Sequence, residues 1–285
     1  MTTYAVTAAS GQLGRLAVED LLARGTAPAD VVAVVRSPGK VADLAARGVV
    51  VRTGDYDDRA SLTTALAGVD RLLLVSGSEP GRRIPQHTNV VEVAEAAGVQ
   101  RIAYTSLLRA DTSGSPLAAD HAGTEAVLAS SGVAVSLLRN SWYLENYTSQ
   151  LGQYLENGAI LGAAHDGRVS AATRADYAAA AVTALLTDED GDQVHELAGA
   201  SFTLAELAVT ITEVTGTTVT YSDVSTEEYA ATLRGFGLDE GTAGFVAALD
   251  ASIAAGDLHT DSTDLEELIG RPATSLAEAV RAARA

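Results

Sequence analysis

Near the amino terminus a short apolar run, Tyr4 to Val6, breaks into small residues and then into a helix-periodic segment. The stretch reads Val6-Thr-Ala-Ala-Ser-Gly-Gln-Leu-Gly14, followed by Leu16, Ala17, Leu21 and Leu22. Strand, tight turn, helix is the opening unit of a dinucleotide-binding fold, and nothing else in the chain constrains the architecture as strongly. A turn free of bulk lets the backbone approach a pyrophosphate, and the helix start offers N–H groups and a positive dipole end to it. Gly11 and Gly14 have the spacing of the second and third glycines of G-x-x-G-x-x-G, with Ser10, Gln12 and Leu13 filling the turn. Ala8 stands where the first glycine belongs. By itself the motif leaves a plain β–turn–α unit open as the other reading.

The rest of the chain repeats the unit. Ala29–Val35 is a near-continuous apolar run, the mark of a parallel strand buried on both faces. Helix Val41–Arg47, strand Val49–Thr53, helix Ser61–Ala67 and strand Arg71–Val75 follow. After a loop, Glu79–Gln86, come helix His87–Ala97, strand Arg101–Thr105, a loop at Arg109–Pro116 expected to be mobile, helix Ala118–Ser130 and strand Ala134–Leu138. This alternation predicts an α/β protein: a Rossmann-like, doubly wound parallel sheet. Beyond Tyr147 the pattern loosens into helix Thr148–Asn157, a Gly-rich hairpin-like stretch Gly158–Ser170, helix Arg174–Leu186 and a last strand Val194–Leu197. Thr203 caps helix Leu204–Thr215; a strand Thr218–Tyr221 and four more helices end the chain. We expect a Rossmann domain over residues 1–139, segments returning to it near 168–198, and a smaller C-terminal α/β substrate lobe within 140–285.

Composition excludes several functions. The 285 residues carry a formal charge of -18, which disfavours nucleic acid and anionic membrane surfaces. There is no cysteine, so disulfides, thiolate metal sites and thiol nucleophiles are out. No apolar run approaches the roughly 18 residues of a membrane span. No leader-like segment precedes the first strand, so a soluble cytoplasmic protein is expected. His165, His195 and His259 show no metal-ligand spacing, and no metal site is expected. A homodimer stays open.

The strand ends carry the candidate site. Arg36 and Lys40 flank Ser-Pro-Gly at the end of the second strand, where an NAD-specific fold carries an acidic residue; cations there suit a 2′-phosphate, with an ordinary solvated turn as the bland alternative. Asp55 and Tyr56 are placed to edge the adenine, while Asp57 or Asp58 serve equally as a helix cap. Ser76 and Gly77 leave room at the fourth strand's end, and Thr105 and Ser106 lie at the fifth, near the expected nicotinamide. Tyr104, inside that strand, reads as core.

These segments appear together in register: Gly11-Gln-Leu-Gly14, Arg36-Ser-Pro-Gly-Lys40, Gly54-Asp-Tyr56, Ile102-Ala-Tyr-Thr-Ser-Leu107, Leu138-Arg-Asn-Ser-Trp-Tyr-Leu-Glu-Asn146 and Ala172-Thr-Arg-Ala-Asp-Tyr-Ala178. The chain thereby resembles the NmrA-like atypical short-chain dehydrogenase/reductases. Within them it is most similar to the bacterial type-2 NADPH:quinone oxidoreductases and somewhat less to the triphenylmethane dye reductases. The resemblance spans residue 4 to the C-terminus, and Arg139-Asn-Ser-Trp-Tyr-Leu-Glu-Asn146 is its most specific part; Ala8 is the departure. It implies NADPH as cofactor, no flavin, and reduction of a small quinone-like molecule. Non-enzymatic NADP(H)-binding redox sensing and reduction of triphenylmethane-type dyes remain the alternatives.

Typical short-chain dehydrogenases use Tyr-x-x-x-Lys, in which lysine lowers the tyrosine pKa. The one lysine here is Lys40, so that dyad is absent. Quinone reduction asks mainly for positioning. Asn140 is a candidate to bond a quinone oxygen or the nicotinamide amide, and Tyr143 to act beside it. Trp142 and Tyr147 are candidates to wall a flat substrate, against the reading of Trp142 and Tyr143 as packing residues. Gln86 is placed to line the pocket or cap its helix. His121 lies near where the resemblance puts a catalytic lysine or histidine; its ordinary pKa suits a proton donor, and a solvated helix histidine is the bland alternative.

Overall fold

The computed structural model describes residues 1–79 and 81–284. Six strands and their helices alternate through the first half: β1 (Tyr4–Val6), α1 (Gln12–Ala23), β2 (Val31–Val35), α2 (Ala42–Ala46), β3 (Val50–Thr53), α3 (Arg59–Leu66), β4 (Arg71–Leu74), α4 (Arg83–Ala96), β5 (Arg101–Leu107), α5 (Ala118–Ala129) and β6 (Ala134–Asn140). All pairings are parallel, in the order β3-β2-β1-β4-β5-β6. Every residue of β2, a continuous apolar run, and of β5 is buried between two helical layers. Side chains alternate between the layers: Val6, Ala33, Val35 and Leu73 pack with α1, whereas Ala5, Val32, Val34 and Leu72 pack with the helices opposite.

The second half begins with α6 (Glu145–Thr148), α7 (Leu151–Asn157), β7 (Ala159–Gly162), β8 (Arg168–Val169), α8 (Arg174–Leu186) and β9 (Gln193–Leu197). It ends with β10 (Phe202–Thr203), α9 (Leu204–Thr215), β11 (Thr220–Asp223), α10 (Thr226–Gly235), α11 (Glu240–Ala254), α12 (Asp264–Ile269) and α13 (Leu276–Arg284). Strand β9 returns to the main sheet as a seventh parallel strand beside β6, and α8 packs against α1 over the same face. A separate core of Leu144, Tyr147, Ile160, Phe202, Leu207 and Ile253 holds the remaining elements together. Thr203 caps α9 in a capping box with Glu206, as its sequence position suggests. Among the described residues no helix is long and apolar enough to cross a membrane.

Three expectations need correction. The stretch Gly158–Ser170 is not a hairpin: β7 pairs in parallel with β11, and β8 pairs antiparallel with β10. Its partners lie dozens of residues downstream, beyond what local pattern registers. Helix α4 starts at Arg83 rather than His87, because Pro85 falls in its first turn, where a missing N–H costs nothing. The loop at Arg109–Pro116 is anchored, not free: the Arg109 N–H donates to Glu196 Oε2 at 2.9 Å, the Arg109 guanidinium to the Gly256 carbonyl at 2.6 Å, and the Gly114 N–H to Asp257 Oδ1 at 3.0 Å.

Candidate active site

Strand order reverses at β1, which lies between β2 and β4. In open α/β sheets a crevice forms outside the carboxyl ends of the strands at that point. Here a cavity of about 310 Å³ occupies it. Gly11 precedes α1 without any side-chain cap, so the first N–H groups of the helix are left for a ligand. The Ala8 carbonyl accepts the Gly11 N–H at 2.8 Å and closes the turn. A Cβ on Gly14 would stand 2.5 Å from the Ala8 oxygen, so only glycine fits there. Ala8 itself adopts φ 47°, the left-handed conformation that glycine takes without strain. The turn therefore has the geometry of the glycine motif although its first glycine is missing.

Ser10, Gly11, Gln12, Leu13, Gly14, Arg36, Asp55, Tyr56, Ser76 and Gly77 all line this cavity. The Tyr56 hydroxyl donates to the Val75 carbonyl at 2.8 Å and lies 2.6 Å from Thr7 Oγ1, which ties the third strand's end to the centre of the sheet. Burial pushes the Tyr56 pKa well above the usual phenol range, so it is neutral. Arg36 is 72% exposed along its side chain, with Glu79 Oε1 as its nearest anion at 3.8 Å. Uncapped helix N–H groups, a turn a Cβ would obstruct, and an exposed cation just after β2 fit a dinucleotide carrying a 2′-phosphate.

Two expected cofactor contacts sit elsewhere. Lys40 is exposed in a single 3₁₀ turn at Pro38–Val41 and does not line the cavity, because that turn carries it past the rim. Thr105 is buried beneath the site, where its Oγ1 accepts the Ser76 N–H at 2.8 Å. It shapes the strand end rather than the lining. Gln86, expected at the substrate, lines this first cavity instead and donates its amide to Asp57 Oδ2 at 3.0 Å.

A second cavity, of about 580 Å³, continues over β5 and β6. Gln12, Leu13 and Val75 to Ser78 line both, so the two meet at the end of β4. Asn140, at the last position of β6, is 4% exposed, and its Oδ1 is buried without any hydrogen-bond partner. Tyr143 stands beside it. Burial raises the Tyr143 pKa against the opposing pull of Arg174 and Asn140, so the residue is a phenol with a proton to donate. Its ring is held by Tyr177, edge-on at 5.5 Å, and by the Arg174 guanidinium, 4.4 Å from the centroid. Trp142 forms a half-buried wall. Ser106 also lines the cavity, but its hydroxyl donates to Glu125 Oε1 at 2.5 Å; Glu125 in turn pairs with Arg139 at 2.6 Å.

Two expectations about this half fail. His121 lines the cavity, yet it is 5% exposed and bonded through Nδ1 to the Tyr104 hydroxyl at 2.8 Å. Burial and the positive charge of Arg83 push its pKa down to about 3, so it carries no imidazolium proton at neutral pH. Tyr147 is not a wall of the cavity. It packs edge-on against Phe202 at 5.9 Å in the C-terminal core, with its hydroxyl buried and unpartnered.

Sequence reasoning passed over Arg83, Glu79, Arg174 and Leu117, all of which line the two cavities. Arg174 stands in the sequence as the start of a helix and within the Ala172–Ala178 segment, with no role attached, and Arg83 as part of a polar loop. The cationic pair Arg82-Arg83, ahead of Pro85 in so acidic a chain, was the one available signal.

A family model described as NAD(P)H-binding matches residues 8–188. Quinone oxidoreductase 2 of Escherichia coli is 50% identical over 97% of this chain and 96% of its own length. The crystal structure of that organism's NADPH-dependent quinone oxidoreductase QOR2, complexed with NADPH, superimposes with a TM-score of 0.95 over 99% of this chain and 100% of that one, at 47% identity. The Citrobacter sp. triphenylmethane reductase complexed with NADP(H) superimposes with a TM-score of 0.93 at 37% identity, over 99% of this chain and 100% of that one. An NmrA-like family domain-containing oxidoreductase of Aspergillus flavus is 31% identical over 98% of this chain and 94% of its own.

Proposed function

The chain belongs to the NAD(P)H-binding, NmrA-like family of oxidoreductases, and on that premise we propose that it reduces quinones or similar flat acceptors with NADPH. The observation that carries the reading is the junction at the end of β4. There a cavity built from backbone and small residues opens into one walled by Trp142 and Tyr143. When bound, NADPH supplies the hydride.

The chain's own residues do the rest. The start of α1 holds the pyrophosphate, and Arg36 meets the 2′-phosphate. Asn140 orients the acceptor or the nicotinamide amide, since its buried Oδ1 lacks a donor and a ligand N–H or O–H would satisfy it. The Tyr143 phenol offers an O–H to an acceptor oxygen, steadied by Tyr177 and Arg174. No Tyr-x-x-x-Lys pair supports proton transfer, and a quinone, being strongly oxidising, needs none. An aromatic-walled cavity beside the cofactor crevice favours an enzyme over a redox sensor.

The test is NADPH oxidation, followed by loss of nicotinamide absorbance, with a naphthoquinone as acceptor, NADH in parallel and a triphenylmethane dye as a rival acceptor. Turnover on quinone that prefers NADPH, without added flavin, is expected. Asn140→Ala should lower that turnover by about tenfold to a hundredfold, the cost of leaving partner groups unpaired, with NADPH affinity nearly intact. Tight NADPH binding with no turnover on either acceptor would overturn the reading in favour of a sensor.

A further inference from the structure

Arg83 occupies the first turn of α4 and lines the second cavity, although it is 6% exposed. Its Nε donates to the Gly77 carbonyl at 2.9 Å, which fixes the guanidinium against the junction of the two cavities. The Nη1 nitrogen is buried and has no hydrogen-bond partner. Its nearest anion, Asp120 Oδ2, lies at 3.7 Å, outside hydrogen-bond reach. A buried cationic N–H without an acceptor is costly, and such a group in a cavity wall calls for an explanation.

Apart from Asp120, the buried histidines beside Arg83 supply it neither an acceptor nor a charge. His87 is fully buried: its Nε2 accepts the Gly77 N–H at 3.0 Å, so its proton lies on Nδ1, facing Thr124 Oγ1 at 3.0 Å. His121 is spent on Tyr104 at 2.8 Å. Burial keeps both imidazoles neutral, and Arg83 reinforces this. The other cation in the wall, Arg174, is engaged by Glu145 at 3.5 Å, Asn146 Oδ1 at 2.9 Å and the Tyr143 ring. Arg83 thus brings to a space shared with Asn140 and Tyr143 a positive charge whose ion pair with Asp120, at 3.7 Å, leaves Nη1 without a hydrogen bond.

We propose that Arg83 binds the acceptor oxygen that becomes negatively charged on reduction, a phenolate-type oxyanion. The proposal rests on the quinone-reductase reading above. In that reaction the nicotinamide C–H bond breaks and its hydride joins the quinone. NADPH is oxidised by two electrons, the quinone is reduced by the same two, and a quinone oxygen is left as a phenolate. One proton from water then completes the hydroquinone. A fixed guanidinium in a poorly solvated wall favours the charged oxygen over the neutral carbonyl, which is where electrostatic stabilisation acts. It supplies by charge what the missing lysine would supply through a tyrosine.

The probe is para-nitrophenol, bound to the NADP⁺-loaded protein. Its ionisation is read from its visible absorbance, and its binding from quenching of Trp142, the chain's single tryptophan and part of the same wall. The bound phenol should ionise about one pH unit lower than in water, a tenfold preference for the phenolate. Arg83→Gln should abolish the shift, and Arg83→Lys should keep most of it. Asp120→Asn should enlarge it, because the competing charge goes while the amide oxygen still accepts the Gly81 N–H now seen at 3.2 Å. A general loss of folding could not produce that increase. A shift that survives Arg83→Gln with quenching intact would overturn the proposal. So would a loss of shift that simply tracks a loss of NADP⁺ affinity, which would put Arg83 on the cofactor phosphates. Wild-type turnover on quinone with no shift would sink the role of Arg83 alone; no turnover on any quinone would sink the parent reading and the proposal with it.

Discussion

The two cavities at the carboxyl edge are built from different materials. The one over β1 to β4 is built around the glycines, small residues and helix N–H groups of one local motif, with Arg36, Asp55 and Tyr56 added from neighbouring strand ends. The one over β5 and β6 is lined by long side chains from separate parts of the chain: Arg83, His121, Asn140, Trp142 and Arg174. A backbone-made site is fixed once its turn is formed, and substitution breaks it through sterics. A side-chain-made site depends on burial, and it fails through charge. The first half is therefore expected to be insensitive to pH and intolerant of Cβ atoms, and the second the reverse.

Acid should expose the difference most. His121 lines the second half and His87 is buried behind the junction at Gly77; burial takes each to a pKa of about 3, whereas the unfolded chain holds them near 6.5. Below 6.5 the unfolded state binds protons that the folded state refuses, so stability is highest above that value and is lost as pH falls toward 3. The slope approaches about 1.4 kcal/mol per pH unit for each histidine, on the order of 5 kcal/mol for the pair between pH 6 and pH 4. Urea unfolding at several pH values should show it, and His121→Asn should flatten the slope by one histidine's share. An unchanged slope would mean that His121 does not titrate this way. The steric counterpart is Gly14→Ala. Its Cβ must displace the Ala8 oxygen from 2.5 Å, and we expect about 3 kcal/mol of lost stability with loss of NADPH binding. A variant that melts normally and still binds NADPH would show that the turn yields.

The same contrast explains what the sequence discloses. The sheet, the cofactor crevice and even the strain at Ala8 follow from residues adjacent in the chain: a turn that needs φ above zero, apolar runs for parallel strands, small residues at strand ends. The substrate side does not, because nothing near Tyr147 says that it packs on Phe202, and nothing near His121 says that burial, with Arg83 close by, will keep it neutral. The misread stretch Gly158–Ser170 has the same cause, since its partners β10 and β11 come from far downstream. Lys40 shows the limit of even the local reading. Spacing placed it beside Arg36, yet one 3₁₀ turn carries it off the lining.

That distinction can be measured. Arg36→Ala should weaken NADPH binding by about 2 kcal/mol, the worth of a charge-assisted contact to phosphate, with NADH affinity unchanged. Lys40→Ala should move NADPH affinity by no more than about twofold, as expected of an exposed cation screened by salt. Equal losses for the two variants would restore Lys40 to the site, and equal losses for both dinucleotides would remove the 2′-phosphate from Arg36.

The smallest expected effect tests whether the backbone-made half is also a strained one. Ala8 holds φ 47° while its side chain is exposed, so the methyl gains little from packing and still bears the steric cost of the left-handed region. That cost is about 1–2 kcal/mol for a residue with a Cβ. Glycine removes it but loses more conformational entropy on folding, about 0.4–1 kcal/mol, so Ala8→Gly should stabilise the protein by roughly 1 kcal/mol. In a chain of this size that is about 2 °C in melting temperature. NADPH affinity should stay within about twofold, because the Ala8 carbonyl already accepts the Gly11 N–H at 2.8 Å and the turn is formed before any ligand arrives. A lower melting temperature would show that the methyl is held by contacts worth more than the strain. A tighter NADPH complex at unchanged stability would show that the strain is relieved only on binding, making Ala8 a brake on cofactor affinity rather than a cost to the fold.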